Sequence, residues 1–136
     1  MDLDEARAFV RDNHRAVLAT TRRDGRPQLS PVTVGVAPDG RLRISTRETA
    51  VKARNVRRDP HVSLCVVNDG WFGEWVQVEG TVEIVPLPEA MDMLVDYYRD
   101  VSGEHPDWDD YRAAMVRDRR VMLLITVERV GPNVSG

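Results

Sequence analysis

A single cysteine, Cys65, excludes an intramolecular disulfide, and its neighbours Val62, Leu64, Val66 and Val67 read as a buried strand that makes it a core thiol. No apolar run approaches the roughly 18 residues that a membrane span requires. The opening residues, MDLDEARAFVRDN, are acidic and amphipathic where a signal peptide is basic and then apolar, so a cytoplasmic protein is expected. Positive charge is in deficit as well: 19 Lys and Arg face 22 Asp and Glu, a net charge of -3. That balance does not suit a protein that coats nucleic acid, and any anion bound here is expected to be small.

Several chemistries lack their residues. The three histidines, His14, His61 and His105, are far apart, and none stands at ligand spacing from Cys65 or a carboxylate, which sets a structural zinc site aside. No GxGxxG follows a strand and no GxxxxGK[ST] is present, so neither common phosphate cradle is built. GxSxG is missing, and Ser30, Ser45 and Ser63 all fall on expected strands. Asn133-Val134-Ser135 matches a glycosylation sequon, which carries no weight without a secretion signal.

What is present is a succession of strands and turns in a 136-residue chain, the size of one domain spanning 1–136. Leu3, Ala6, Phe9 and Val10 share one helical face, which predicts a helix over Leu3 to Asp12 covering the end of a sheet. Arg15 to Thr21, Gln28 to Val36 and Arg41 to Ser45 alternate and are separated by Gly-containing turns, an antiparallel meander. Pro31 cannot donate to a ladder, which places it at an edge or a bulge. His61 to Val67 is apolar nearly throughout and reads as buried on both faces. Glu74 to Val85 alternates across a break at Gly80, helices follow over Pro88 to Arg99 and Asp107 to Asp118, and Val121 to Val130 is a last strand. Six strands, mainly antiparallel, with short flanking helices predict an α+β chain built on a small closed or partly closed barrel.

The segment STRETAVKARNVRRDP packs five basic side chains between two of those strands. Ser45-Thr46-Arg47-Glu48 fits a capping box, which predicts a helix beginning directly after the strand and ending before Pro60. On a helical wheel Arg54, Arg57 and Arg58 share an arc of about 100°, while Lys52 points roughly the opposite way beside Asn55 and Val56. The arginines read equally as a solvated face or as an anion-binding one. Lys52 and Asn55, near a helix N-terminus that follows a strand, suit a single phosphate, one by charge and the other by oriented donors.

The ordered series LATTRRDGRPQLSPV, a strand ending IST, VKARNVRRDP, VSLCVV, VEGTVEIV and GEHPDWDDYRAAMVRDRRVMLLI resembles the split β-barrel oxidoreductases of actinobacteria. More narrowly, through GEHPDWDDYR, it is similar to the coenzyme F420-dependent branch related in fold to pyridoxamine 5'-phosphate oxidase. The resemblance runs from about Arg15 to Val130. It implies a homodimer with the cofactor in a groove between subunits, lined by both chains. By position, Lys52, Asn55 and Arg54 match the phosphate-binding run, Ser45 and Thr46 the strand end that meets the cofactor, and Gln28 and Ser30 the strand beside the deazaflavin ring. Trp75 and Asp109 are looser matches. Where the resembled run carries an arginine two residues before the lysine, this chain has Ala50, for which Arg47 is a candidate substitute.

The implied activity is hydride transfer from reduced F420 to a small conjugated or aromatic substrate. The alternatives are an FMN-dependent enzyme of the pyridoxamine-phosphate oxidase type and a non-catalytic F420 carrier. F420 brings a phosphodiester and an oligoglutamate tail, matched by Lys52 with Asn55 and by the arginine face, and the cofactor carries the chemistry. That explains the missing nucleophile and acid-base pair, and no catalytic residue is assigned. Tyr97, Tyr98, Trp108 and Tyr111 read as packing for the helices or for a partner subunit.

Overall fold

The computed structural model describes residues 1–132; the sequon at 133–135 lies outside them. Helix α1 (Leu3–Asp12) opens on a capping box between Asp2 and Glu5, and its buried Ala6 and Val10 close one end of the barrel core. Strands β1 (Arg15–Thr21), β2 (Pro27–Thr33), β3 (Gly35–Val36) and β4 (Leu42–Arg47) follow, then helix α2 (Val51–Arg58). Strands β5 (His61–Val67) and β6 (Trp75–Val85), helices α3 (Ala90–Ser102) and α4 (Trp108–Arg117), and strand β7 (Arg120–Val130) complete the elements of the described residues. The sheet order is β2-β1-β5-β6-β7-β4-β3, with every pairing antiparallel.

Seven strands stand where six were expected, because the second strand divides at Val34. Its first half, β2, pairs with β1, and its second half, β3, pairs with β4. Between them the Val34 amide donates to the His14 carbonyl at 2.8 Å, one step beyond the Arg15–Thr33 pair and the last bond to the β1 side. The two ends of the sheet are therefore consecutive pieces of one chain segment, and the barrel closes through the backbone. Gly35 makes the crossing feasible, since a Cβ there would lie 2.9 Å from the Asp100 carboxylate and 3.2 Å from Val101.

Alternation sorts the side chains into two layers. Leu18, Leu42, Ile44, Leu64, Val76, Val78, Leu123 and Ile125 fill the barrel. Met122 and Leu124 face outward from β7 and pack under α3 and α4 with Leu94, Tyr97, Tyr111 and Met115. Arg43, 3% exposed on the same outer row of β4, is held by Asp96 at 2.7 Å and Asp100 at 3.6 Å. Gly80 marks the bulge where β6 slips register against β7, and a Cβ there would meet the Thr126 carbonyl oxygen.

Three further expectations are corrected. The Ser45 to Glu48 capping box does not form: β4 runs on through Ser45 and Thr46 to Arg47, and α2 starts at Val51 with Ala50 as a cap that offers no side-chain acceptor. Cross-strand pairing of Ser45 with Met122 and Thr46 with Val121 holds the strand longer than the local motif suggests. β5 is buried on one face only, Val62, Leu64 and Val66 being buried and the alternate positions half-buried or exposed, because among the described residues no helix packs over the outer side of β1, β5 and β6. Cys65 faces that outer side, half-buried, rather than the core, and burial still pushes its thiol pKa up. Among the described residues no helix is long and apolar enough to cross a membrane.

Candidate functional site

A cleft of about 930 Å³ opens beside the crossing, between the outer edge of β2, the end of β4, the start of α2 and the α3–α4 layer. Each wall follows from the fold. Pro31 and Thr33 occupy outward positions on the edge strand β2, where proline leaves no ladder bond unmade. Ser45 and Arg47 are outward positions on β4, and Arg120 is the cross-strand partner of Arg47 on β7. Tyr97, Tyr98 and Tyr111 come from the helices. The Tyr97 hydroxyl donates to the Thr33 carbonyl at 2.7 Å, tying α3 to β2 across the gap, and the Tyr111 hydroxyl donates to the Leu94 carbonyl at 2.9 Å. Burial raises both phenols, that of Tyr111 to about 12, so both stay neutral at physiological pH.

The cleft is electropositive at its α2 end. Lys52 has no hydrogen bond or ion pair among the described residues; burial first, and then the neighbouring Arg120 guanidinium, push its pKa down. The Nε of Arg120 is buried without an acceptor. Arg47 is paired instead, with Asp118 at 3.7 Å. Ala50 caps α2 without a side-chain bond, so the helix N-terminus next to Lys52 has no side-chain acceptor of its own, an arrangement that favours an anion.

The site residues expected from sequence fall into separate places. Ser45, Thr46 and Lys52 line the cleft together. Asn55 does not join Lys52. It is 5% exposed, donates to the Thr20 hydroxyl at 3.0 Å and accepts from Arg58 at 3.1 Å, which fastens α2 to β1. Its neighbour Arg54 lies with Arg22, Arg23, Arg57 and Arg58 on a second, exposed groove of about 690 Å³. Gln28 and Ser30 face inward from β2: Gln28 accepts from Thr20 at 3.3 Å, and the Ser30 Oγ is buried without a partner.

Trp75 stands on the uncovered outer sheet face, in the row Thr33, Arg15, Val67, Trp75 that crosses four strands. Asp109 is exposed in the first turn of α4. Arg120 and the tyrosines were missed as site residues. The signal for Arg120 was its alternation with Met122 and Leu124, which places it on the helix-covered face at the strand's open end. Among the described residues no group of His, Cys, Asp and Glu could hold a metal ion.

Comparison with known proteins agrees with the fold. A family model described as pyridoxamine 5'-phosphate oxidase matches residues 3–133. A curated relative, the F420H(2)-dependent biliverdin reductase of Mycobacterium tuberculosis, is 28% identical over 128 residues, 93% of this chain and 85% of its own. A conserved hypothetical protein from Mycobacterium tuberculosis superposes with a TM-score of 0.78 at 31% identity, covering 96% of this chain and 82% of its own. A solved F420 reductase shares the fold, with a TM-score of 0.72 at 22% identity over 91% of this chain and 94% of its own. Matched over nearly its whole length, the chain belongs to the pyridoxamine 5'-phosphate oxidase family.

Proposed function

We propose that this chain is a cytoplasmic oxidoreductase that binds coenzyme F420 in the cleft beside the β2–β3 crossing and reduces a small conjugated or aromatic substrate. The observation that carries the reading is the unpaired Lys52 at the α2 end of a cleft walled by tyrosines. The curated relative named as an F420H(2)-dependent reductase supports the deazaflavin over FMN. Bound there, reduced F420 supplies a hydride to an electron-poor double bond. Lys52 and the N-terminus of α2 hold the phosphodiester, and Ser45 and Thr46 offer hydroxyls and backbone donors at the strand end. Pro31, Tyr97 and Tyr98 wall off water, and the Arg54 groove takes the glutamate tail.

Assembly as a homodimer completes the site in this reading. Thr33 and Arg15 line the cleft and also begin the row that ends at Trp75 on the uncovered sheet face. Leu29 is 62% exposed on that face, beside Ala19 and Ser63. A second copy seated there covers the apolar positions and brings its own residues to the cleft mouth.

Fluorescence titration with F420 and with FMN tests the cofactor, and a preference for FMN sinks the deazaflavin reading. Reoxidation of reduced F420 is then followed with enones, quinones and biliverdin. A protein that binds F420 yet turns over none of them is the carrier. Sedimentation at the concentrations used for binding tests the shared site, which a cofactor-binding monomer would refute.

A further inference from the structure

We infer that Arg120 is a second anion ligand of the cleft, and that it forms with Lys52 a two-cation seat for one phosphate group. The inference deepens the proposed function, on which the identity of the phosphate's owner rests. Three observations carry it. Arg120 opens β7 directly across from Arg47, so its side chain emerges on the same outer row as Met122 and Leu124, where the helix layer ends and the cleft begins.

Next, the Arg120 Nε is buried and accepted by nothing, and no carboxylate among the described residues pairs with its guanidinium. Arg120 is partly buried, and a guanidinium N–H kept from water without an acceptor is costly; a ligand oxygen would supply the missing acceptor. Finally, Lys52 reaches the same space from a different element and is equally unpaired; the two cations are near enough for one to disfavour the charge on the other. An anion between them removes both penalties at once.

The geometry also decides between basic neighbours. Arg47 is 57% exposed and shares its charge with Asp118, and Arg119 turns away to Glu48 at 3.4 Å. Arg120 alone of the three points into the cleft unpaired. The planar guanidinium matches two phosphate oxygens at once, and the lysine adds a mobile point charge. The class of ligand is therefore a phosphate ester or diester whose organic part extends along the tyrosine wall.

The test measures binding by calorimetry and not by turnover. Wild type, R120Q and R119Q are titrated with F420, with FMN and with inorganic pyrophosphate. R120Q is expected to lose at least tenfold in affinity for whichever of these binds, and R119Q, whose side chain lies outside the cleft, to stay within threefold of wild type. Equal binding by R120Q and wild type overturns the inference even if F420 binds tightly and the proposed function stands. Arg120-dependent binding of pyrophosphate or FMN, with no binding of F420, upholds the seat and overturns the F420 reading.

A footprint on the unaltered chain guards against a variant that fails to fold. Phenylglyoxal modification, mapped by mass spectrometry, is expected to fall at Arg120 and not at Arg26 when the bound ligand is saturating. Unchanged modification of Arg120 refutes the assignment.

Discussion

Replacing Asn55 with alanine, set beside replacement of Lys52, separates structure from binding on α2. The side chain makes two hydrogen bonds, one donated to Thr20 and one accepted from Arg58, with only 5% of the residue exposed. The first joins two buried neutral groups and is worth about 1 kcal/mol, and the second, charge-assisted but at the surface, adds about the same. Thr20, 2% exposed, keeps its bond to Gln28, so its hydroxyl is not orphaned and the loss stays near ~2 kcal/mol. For a chain of this size that corresponds to a fall in Tm of roughly 8 °C.

Affinity for the phosphorylated cofactor should stay within about threefold, because Asn55 faces β1 and not the cleft. Lys52→Met gives the opposite signature. Its Tm should hold or rise slightly, since a partly buried cation beside Arg120 is removed, while affinity should fall by roughly 10- to 150-fold, about 1.5–3 kcal/mol. Circular dichroism melts and cofactor titrations on both variants read the two quantities independently. An Asn55→Ala protein that melts like wild type yet binds as poorly as Lys52→Met would refute the division of α2 argued from these contacts.

Two further outcomes follow from the framework. Gly80→Ala drives a Cβ into the Thr126 carbonyl at the β6–β7 bulge, where both sides are backbone, so more than about 3 kcal/mol should be lost and Tm should drop by at least about 10 °C. Wild-type stability in melts would show that the bulge relaxes freely. The raised phenols of Tyr97 and Tyr111 stabilise the fold fully below their unfolded pKa of about 10, and that contribution is lost as pH climbs through the folded value, about 12 for Tyr111. Denaturant midpoints should therefore decline from pH 10 upward, and Tyr111→Phe should flatten part of the decline; an equal slope in the variant would contradict the assignment.

Periodicity carried most of the architecture. The Leu3 to Asp12 helix and the β1 and β5 boundaries follow from local apolar spacing, which the long-range packing reinforces. The division at Val34 was hidden, because alternation runs unbroken from Gln28 to Val36 and only the change of partner, from β1 to β4, distinguishes the halves. The failed capping box has a similar origin: Ser45 and Thr46 look like a helix start locally, but their ladder with Met122 and Val121 lies some 75 residues away in sequence and wins. At the site, helical angle alone placed Asn55 beside Lys52. The wheel could not show that Asn55 is claimed by Thr20, or that the cation sharing the cleft with Lys52 would arrive from β7.

The crossing at Val34 has a mechanical meaning for whatever enters the cleft. One continuous segment both closes the barrel and forms a wall of the site, and it is clamped at Val34 by His14 and at Thr33 by Tyr97. The gap cannot widen as a hinged lid would without loosening barrel closure itself. If the proposed function holds, the pocket inherits the stiffness of the core, its aperture is fixed, and core substitutions that never touch a ligand should still retune which molecules fit.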